Sequence, residues 1–554
     1  MAEATRVADF NRRLRFSLTP EHVLFNYGNP EKSFVPWRCP RIGQERHASA
    51  EYTVTVANFV VALDSGTTST RAVIFDHDGI PIGSAQIPHE QIFPKPGWVE
   101  HDAAELWQNA SIVLDRVVAE AGLAPGDIAA LGMTNQRETA IVWNVDTGIP
   151  IANAIVWQDT RTQSRIDALE ASGCGELFTF ATGLPLVTYF SATKFAEILD
   201  QTPGAREAAT RGELRAGTVD SWLLWNLTGG PNGGVHATDV TNASRTLLMD
   251  IETLSWRADL CELTDVPLDI LPGIRPSGSV FGVVSTIDAF AGVPIGGIVG
   301  DQQAATLGHV ATRPGEAKNT YGTGNFLIVA TGTEIVRSAH GLLTTVAFQR
   351  EGEPVHYALE GSIAVTGSLV QWLRDNIGII DNSAEVEVLA ASVPDSGGVV
   401  VVPAFSGLFA PYWRPDARGI IAGLTRFTTK AHIARAALES VAFQTRDVIR
   451  AAAADSGTPL TELRVDGGMV RNNLLMQMQA DIAGIPVVRP VVTETTAMGA
   501  AFAAGLTVGF WTDEDELRAV WREDRRFEPT MSEPDRANAI SEWDKGVERS
   551  LGWV

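Results

Sequence analysis

The chain has 554 residues, which is too long for one hydrophobic core, and because domains usually hold roughly 100 to 200 residues we expect at least two. Its hydrophobic fraction of 45% and charged fraction of 20% are typical of a folded protein and exclude a largely disordered one. The net charge of −23 argues against nucleic acid or an anionic membrane surface as the main partner, because both require a basic patch.

Cysteine content and hydropathy indicate the compartment. Cys39, Cys174 and Cys261 lie far apart, in the spacing of neither a disulfide framework nor a zinc site, which favours a reducing environment. No apolar run approaches the length of a membrane span, and the start of the chain lacks the features of a secretory signal. We therefore expect a cytoplasmic protein without a membrane span.

Residues 1–57 differ from the rest of the chain. They mix Arg, Pro and aromatic residues without sustained periodicity. Three interpretations are open: a disordered arm, an atypical extension that packs on the surface, or an upstream translation start that is not used in nature. We assign no function to this segment.

The first motif is a predicted hairpin at residues 59–75. Two apolar, β-rich runs flank a turn of Gly, Ser and Thr, and successive amides and hydroxyls in such a turn suit a phosphate. Gly66 allows a ligand to approach the backbone closely. Asp64 would repel a phosphate, but it can hold Mg²⁺ through water. The alternative is an ordinary polar hairpin.

Strands then alternate with helices, which is typical of an α/β architecture. A long helix is predicted from Asp102 to about Ala121, with Asp102 and Glu105 in the spacing of a capping box. A short buried strand follows at residues 128–134. It ends in a polar cluster that includes Arg137 and Glu138, at the strand end where open α/β sheets bind ligands, although the pair could also be a surface ion pair.

The middle of the chain, from Trp157 to about Val280, carries helices and amide-rich loops, and we interpret it as an insertion that covers a cleft. The next apolar strand stops at Asp301, which two amides follow, Gln302 and Gln303. A second carboxylate is thus predicted at the end of a strand.

A second hairpin, at residues 317–329, repeats the first: strand, Gly/Thr turn, strand. We expect the two hairpins to occupy equivalent corners of two similar halves, with a phosphate chain held between them. A linker or hinge is predicted near residues 309–314.

The second half contains four further predicted elements. They are a helix at 362–376 with Trp372 and Leu373 on its apolar side, an amphipathic helix from 428 to about 454, a strand, turn and helix from 463, and a buried helix at 497–510. In the turn of the third element, Gly467 and Gly468 allow a flat ring or a ribose to approach, and Asn472 can hydrogen-bond a base or phosphate, although a plain turn is an alternative.

Several common nucleotide-binding motifs are absent from the sequence. It has no Walker A sequence, no His-Arg-Asp catalytic loop and no glycine fingerprint for a dinucleotide. The helical zinc motif is absent too. The common nucleotide-binding folds are therefore disfavoured.

Four segments together resemble the FGGY carbohydrate kinases: residues 64–71, 300–303, 319–324 and 466–473. The resemblance covers roughly residues 58–554. It implies an α/β fold with two actin-like, RNase H-like domains and an ATP cleft between them. The implied N-terminal domain, residues 58–308, carries the polyol site and the phosphate hairpin. The implied C-terminal domain, residues 309–554, carries the adenosine site and a helical tail.

The resemblance also implies a polyol site, in which glycerol is the expected substrate. It carries over Arg137, Glu138, Tyr189, Asp301 and Gln302 as ligands of the hydroxyl groups and Trp157 and Phe326 as apolar walls. The chemistry agrees, because a triol offers donors and acceptors that a guanidinium beside a carboxylate can satisfy. A substrate without one of the hydroxyls would leave a buried charge unpaired.

ATP and Mg²⁺ are the implied cofactors, with Mg²⁺ at Asp64 and Asp301. The implied reaction is in-line transfer of the γ-phosphoryl group of ATP to glycerol, with Asp301 as general base. The resemblance assigns the phosphates to Thr67, Thr68, Ser69 and Arg71, and the remaining phosphate, ribose and adenine contacts to Thr323, Gly367, Gln371, Gly468 and Asn472.

Two alternatives remain open at this point. The substrate could be another polyol or ketose, such as erythritol, dihydroxyacetone or a pentulose. The chain could also be a nucleotide-switched binding protein of the actin and Hsp70 type, which needs no small-molecule pocket. For the assembly, we expect a homodimer or a homotetramer.

The sequence departs from the family pattern at two places. Within the first family signature, residues 189–199, Glu197 stands where a Trp is expected, and we expect this to affect helix packing and not chemistry. The loop before Gly296 lacks the glycine-rich segment by which some bacterial members bind fructose 1,6-bisphosphate, so we do not expect that regulation.

Overall fold

The structure is a computed structural model that describes residues 57–554. The expectations for the N-terminal extension concern residues that lie outside this range, apart from its last one. None of the helices in residues 57–554 has both the length and the apolarity that are needed to cross a bilayer.

The first sheet has six strands in the order β5-β6-β4-β1-β2-β3. Strand β1 is antiparallel to β2 and parallel to β4, and β4 is parallel to β6. The strand bounds are β1 Phe59–Ser65, β2 Ser69–Phe75, β3 Pro81–Pro88, β4 Ile128–Asn135, β5 Gly282–Val283 and β6 Pro294–Gly300.

The second sheet has seven strands in the order β9-β10-β8-β7-β11-β12-β13. Strand β7 is antiparallel to β8 and parallel to β11. The strand bounds are β7 Ala317–Tyr321, β8 Asn325–Gly332, β9 Leu343–Phe348, β10 His356–Ile363, β11 Leu463–Asp466, β12 Val487–Pro490 and β13 Glu523–Phe527.

The two sheets repeat one topology. Order and direction are the same in β3-β2-β1-β4-β6 and in β10-β8-β7-β11-β12. The first hairpin is closed by Gly66 N donating to Ser69 O at 3.0 Å, and the second by Gly322 N donating to Gly324 O at 2.9 Å. The prediction of two similar halves with equivalent hairpins is confirmed.

Helices of the N-terminal part include the predicted long helix, α1. Asp102 caps it by accepting from Ala104 N, but Glu105 accepts from Glu90 N and does not complete a capping box. The bounds are α1 Ala103–Ala121, α2 Gln163–Ala171, α3 Gly175–Thr182, α4 Ala192–Gln201, α5 Ala205–Thr210, α6 Val219–Leu227, α7 Val240–Ala243 and α8 Ala258–Leu263.

Residues 136–293 lie between β4 and β6 and contain α2 to α8, as expected for an insertion. Part of the segment has its own apolar core, to which Phe178, Phe190 and Phe195 contribute. Four short ribbons brace this region: Glu100–His101 with Ala154–Ile155, Ile141–Asn144 with Leu214–Gly217, Ala237–Asp239 with Gly273–Arg275, and Met249–Asp250 with Ser255–Trp256.

Helix α9 follows β6 directly, and the remaining helices lie in the C-terminal part. The predicted long amphipathic helix is α12. The bounds are α9 Asp301–Gly308, α10 Gly367–Trp372, α11 Glu385–Ala391, α12 Lys430–Ser456, α13 Asn473–Ala483, α14 Thr495–Val508, α15 Glu514–Val520 and α16 Glu533–Arg549. Shorter elements are 3-10 turns at Pro125–Asp127, Gly230–Asn232, Leu268–Ile270, Asp288–Phe290 and Gly468–Arg471, a π turn at Leu373–Ile377, and a ribbon of Val400–Val402 with Ile420–Ala422.

The predicted helix at residues 362–376 is wrong at its start. Ser362 and Ile363 belong to β10, where they pair with Phe326 and Asn325 of β8. The helix begins only at Gly367. Strand pairing prevails here because the sheet buries both faces of β10, whereas a helix would leave the edge of β8 unpaired.

Helices α9 and α14 meet at very close range. A Cβ atom on Gly499 would lie 1.8 Å from Ala304 O, and one on Gly308 would lie 2.0 Å from Thr495 O. Helix α14 also packs on the first sheet, where a Cβ atom on Gly132 would lie 2.0 Å from Ala500 O. The predicted buried helix at 497–510 is confirmed, and its small residues are what allow this contact.

Candidate active site

The ends of two neighbouring parallel strands bring the predicted polyol residues together. Gly300, the last residue of β6, pairs with Asn135, the last residue of β4. Asp301 follows Gly300 directly, Arg137 comes two residues after Asn135, and Arg137 Nε lies 3.0 Å from Asp301 Oδ1. The carboxyl ends of parallel strands share one sheet edge, which is why residues far apart in sequence meet here.

Arg137 and Glu138 are buried, and each has a partner other than its neighbour. The distance from Arg137 Nε to Glu138 Oε1 is 3.9 Å. Arg137 instead donates from Nη1 and Nη2 to the two carboxylate oxygens of Glu360, at 2.7 and 2.9 Å. Glu138 accepts from Nε of Arg245 at 2.6 Å. The alternative of a surface ion pair is therefore wrong.

The four groups form one buried ionic network, because Arg245 Nη2 also donates to Glu360 at 3.3 Å. Burial alone would raise the pKa of Glu360, but Arg137 and Arg245 outweigh it and hold that pKa at about 2. Burial raises the pKa of Glu138 above its ordinary value despite the opposing charge of Arg245. Two cations and two carboxylates thus balance within the protein interior.

The predicted apolar walls lie together next to the first hairpin. The ring of Trp157 packs against those of Tyr189 and Phe326, with centroids 5.4 and 6.2 Å away. Trp157 Nε1 donates to Thr67 Oγ1 at 3.0 Å. One side chain therefore touches both the predicted polyol wall and the predicted phosphate-binding turn.

Lys318 fixes the orientation of Gln302. Its ammonium group donates to Gln302 Oε1 at 2.5 Å, to Thr320 Oγ1 at 3.0 Å and to Phe326 O at 3.3 Å. An ammonium group only donates, so the amide oxygen of Gln302 must face it and the NH₂ group remains available as a donor. Burial lowers the pKa of Lys318 to about 8.

Side chains from neighbouring segments donate hydrogen bonds to the carbonyl groups of the first hairpin turn. Thr67 O accepts from His89 Nε2 and Gln91 Nε2, both at 2.9 Å, and Gly66 O accepts from Gln136 Nε2 at 3.1 Å. Within residues 57–554, the backbone N–H groups of Thr67 and Thr68 have no hydrogen-bond partner. The turn therefore offers donors, as an anion site requires.

Asp64 fits a divalent cation that is shared with a phosphate. Burial raises its pKa to about 7, and the charge of Asp301 adds to this while that of Arg71 opposes it. The described residues contain no cluster of three or more His, Cys, Asp or Glu that could hold a metal alone. A cation at Asp64 would thus need water and phosphate oxygens as further ligands, which is how Mg²⁺ is usually held. Arg71 itself is paired with Glu494.

Two of the five other predicted ATP residues, Thr323 and Gly367, lie at the second hairpin. Gly367 N donates to Gly322 O at 3.1 Å, and Thr366 N donates to Thr323 O at 3.0 Å. A Cβ atom on Gly367 would lie 2.4 Å from Gly322 O, so only glycine fits.

The remaining three ATP candidates differ in their surroundings. Gly468 is exposed and has no atom within 4 Å of a Cβ position, which leaves room for a flat ring. Asn472 caps α13 by accepting from Leu475 N at 2.9 Å, and Gln371 is exposed on α10. No hydrogen bond in the described part of the chain joins these residues to Thr67, Thr68 or Ser69.

Comparison with known proteins decides the family. The family model for the N-terminal domain of the FGGY family of carbohydrate kinases matches residues 59–308, and the model for its C-terminal domain matches residues 317–508. The chain belongs to the FGGY family of carbohydrate kinases. It shares 60% identity over 500 residues with a glycerol kinase of Leifsonia xyli subsp. xyli, covering 90% of this chain and 99% of the relative.

Further FGGY relatives agree. A glycerol kinase of Pseudarthrobacter chlorophenolicus is 61% identical over 496 residues, covering 90% of this chain and 98% of the relative. Among solved structures, Plasmodium falciparum glycerol kinase with ADP has a TM-score of 0.84 at 38% identity, covering 89% of this chain and 98% of that chain. Xylulose kinase from Rhodospirillum rubrum has a TM-score of 0.75 at 26% identity, covering 88% and 98%.

Sequence reasoning missed three charged residues of this FGGY kinase: Arg245, Lys318 and Glu360. All three are fully buried. A signal existed for two of them, because Lys318 lies within the predicted second hairpin and Glu360 follows a run of apolar residues in its strand, and buried charges require partners. Glu197, the departure from the first FGGY signature, pairs with Arg165 Nε at 3.0 Å and so joins α4 to α2.

Proposed function

We propose that this FGGY kinase transfers the γ-phosphoryl group of ATP to glycerol, giving sn-glycerol 3-phosphate and ADP. The observation that carries the proposal is the contact of Arg137 with Asp301 beside an aromatic wall that reaches Thr67. The relatives of about 60% identity that are named glycerol kinase support it.

The donors and acceptors of the site suit a triol. Arg137 Nε and the NH₂ group of Gln302 donate, whereas Asp301 and the second carboxylate oxygen of Glu138 accept. The carbon atoms of glycerol would face the rings of Trp157, Tyr189 and Phe326. Each hydroxyl group would find a charged or amide partner, so analogues without one of them are disfavoured.

Phosphoryl transfer would then depend on positioning and charge neutralisation. A terminal hydroxyl oxygen of glycerol attacks the γ-phosphorus in line, the bond to the β-γ bridging oxygen breaks, and ADP leaves. Asp301 accepts the hydroxyl proton late in the reaction, when a weak carboxylate base suffices. Arg71 would leave Glu494 to face the phosphates, and Thr67, Thr68 and Ser69 would donate to them. Closure of the cleft would exclude water as an acceptor.

The other parts of the proposal follow from the sequence-based expectations. Asp64 and Asp301 would hold Mg²⁺, which when bound neutralises phosphate charge. Thr323, Gly367, Gln371, Gly468 and Asn472 would contact the rest of ATP. The division into domains 58–308 and 309–554, a homodimer or homotetramer and a cytoplasmic location complete the proposal.

The test is ADP release, measured with a coupled assay on a panel of polyols in the presence and absence of Mg²⁺. We expect Mg²⁺-dependent turnover with the highest kcat/KM for glycerol. A higher value for erythritol, dihydroxyacetone or a pentulose would favour the rival substrate. Equal ATP hydrolysis with and without glycerol would favour a nucleotide-switched binding protein.

Asp301→Asn tests the proposed base. We expect kcat to fall at least about a thousandfold, on the order of 4 kcal/mol in activation free energy, while ADP binding is retained. Steady-state kinetics and calorimetry with ADP measure the two quantities. The exposed Asp146→Asn serves as the matched control, and near-normal turnover of Asp301→Asn would remove Asp301 from this role.

A further inference from the structure

Glu360 is the group on which the buried ionic network converges. Its carboxylate accepts hydrogen bonds from Nη1 and Nη2 of Arg137 at 2.7 and 2.9 Å and from Nη2 of Arg245 at 3.3 Å, and its side chain is fully buried. We propose that Glu360 is a positioning residue for the polyol site, which it completes from the second sheet. This inference rests on the proposed function, because it assigns a role within the same site.

The geometry of Arg137 explains the role. Both terminal nitrogens bind Glu360, and Nη1 also donates to Gln303 Oε1 at 3.2 Å. A guanidinium group held at this fork cannot rotate, so its Nε edge is directed at Asp301. Glu360 therefore decides which edge of Arg137 faces the substrate, without touching the substrate itself.

Glu360 acts on Glu138 as well, through Arg245. Arg245 is fully buried between the two carboxylates, donating from Nε to Glu138 and from Nη2 to Glu360. Without Glu360, the positive charge of Arg245 would have one carboxylate partner instead of two. The chain of contacts thus fixes Arg137 and Glu138 together, the two residues that would bind neighbouring hydroxyl groups.

The network also joins the two sheets. Arg137 follows β4 of the first sheet, whereas Glu360 lies on β10 of the second, two strands from β7. The polyol site is therefore in its binding geometry only while the two sheets keep this arrangement.

Glu360→Gln tests the role, because it keeps the shape and removes the charge. We expect KM for glycerol to rise about 30-fold or more, as for loss of a buried charged hydrogen bond, while KM for ATP and the affinity for ADP change less than about twofold. The difference between the two KM values distinguishes a specific effect from misfolding, since a general loss of folded protein would lower the apparent kcat and leave both KM values unchanged. Asp447→Asn is the matched control, a buried carboxylate bonded to Tyr412 and Trp543 away from the site.

A second variant covers failure of the first to fold, because removing one partner of a buried ion pair leaves an uncompensated charge. Glu360→Gln with Arg245→Gln restores the charge balance, and we expect a folded, ADP-binding protein with the same weak glycerol binding. Wild-type glycerol KM in either variant would overturn the role of Glu360. If the parent enzyme fails to phosphorylate glycerol at all, the proposed function fails instead, so the two failures are distinguishable.

Discussion

Glu138 adopts a backbone φ of +62°, in the left-handed region that non-glycine residues seldom occupy. It follows the strand end at Asn135, and the turn brings its carboxylate to Arg245. A strained backbone at a buried charge costs about 1 to 3 kcal/mol and persists only where neighbours hold it. The ionic network holds Glu138 in this backbone conformation, because the conformation brings its carboxylate to Arg245.

The buried side chain of Lys194 predicts how the stability of the folded protein depends on pH. Its ammonium group donates to the carbonyl oxygens of Thr188, Tyr189 and Phe190, and burial lowers its pKa from 10.5 to about 7. Between those values the unfolded chain holds a proton that the folded protein lacks, so stability rises with pH. The stability of wild type minus that of Lys194→Met should rise by up to about 1.4 kcal/mol per pH unit. Urea denaturation near pH 7.5 and 9.5 measures it, and a constant difference would contradict it.

Predictions for single residues succeeded where polar residues follow the end of a strand. They failed where a buried charge has its ionic partner on another element. Arg137 and Asp301 were each predicted at a strand end, the family resemblance placed both in one polyol site, and the structure brings them within 3.0 Å of each other. Glu360 was not predicted as the partner of Arg137, because the pair is 223 positions apart and no local pattern fixes which buried charges meet. Lys318 was missed although Gln302 is only 16 positions away, because no local pattern pairs a buried lysine with that amide.

At the scale of elements, the contact between α9 and α14 supports Asp301, the proposed base. Asp301 is the first residue of α9, and that helix rests on α14 through glycines without side chains. Gly499→Ala would drive a methyl group into Ala304 O, so we expect a loss of roughly 1 to 3 kcal/mol in stability, as for an overpacked core, and a lower kcat through displacement of Asp301. Thermal denaturation and steady-state kinetics measure both.

The control for this substitution is Gly126→Ala. Gly126 is exposed and has no atom within 4 Å of its Cβ position, so we expect a change within about 0.5 kcal/mol. Equal stability of the two variants would show that α14 can move aside.

The buried helix α14 was predictable from its small, apolar residues, but its partner helix was not, because composition does not say which surface a helix covers. The helix predicted at 362–376 was wrong at its start because strand pairing with β8 is a tertiary effect.

At the scale of the whole molecule, the repeated sheet topology was predictable from the two Gly/Thr hairpins, since each is a local pattern. The link between the sheets was not predictable, because it depends on Arg137, Arg245 and Glu360 together. That link gives a prediction for the complete chain. Glycerol alone, without nucleotide, should slow amide hydrogen exchange in β10 as well as at residues 135–139, because the ionic network joins them. Mass spectrometry of exchanged peptides measures this.

The exchange experiment has its own control in Glu360→Gln. In that variant, glycerol added at a saturating concentration should protect residues 135–139 more than β10, since the shared carboxylate is gone. Protection of the wild type that stops at the first sheet would contradict a site built across both.

The position of the insertion has a consequence for chimaeric enzymes. Residues 136–293 carry Arg137, Glu138, Trp157, Tyr189 and Arg245, so a graft of this single cassette from another carbohydrate kinase would replace most of the residues proposed to form the polyol site. Glu360 would stay behind in the recipient scaffold. Where the donor kinase has a different residue at the position of Glu360, that position must be exchanged along with the cassette, because the imported buried charges would otherwise lack their partner.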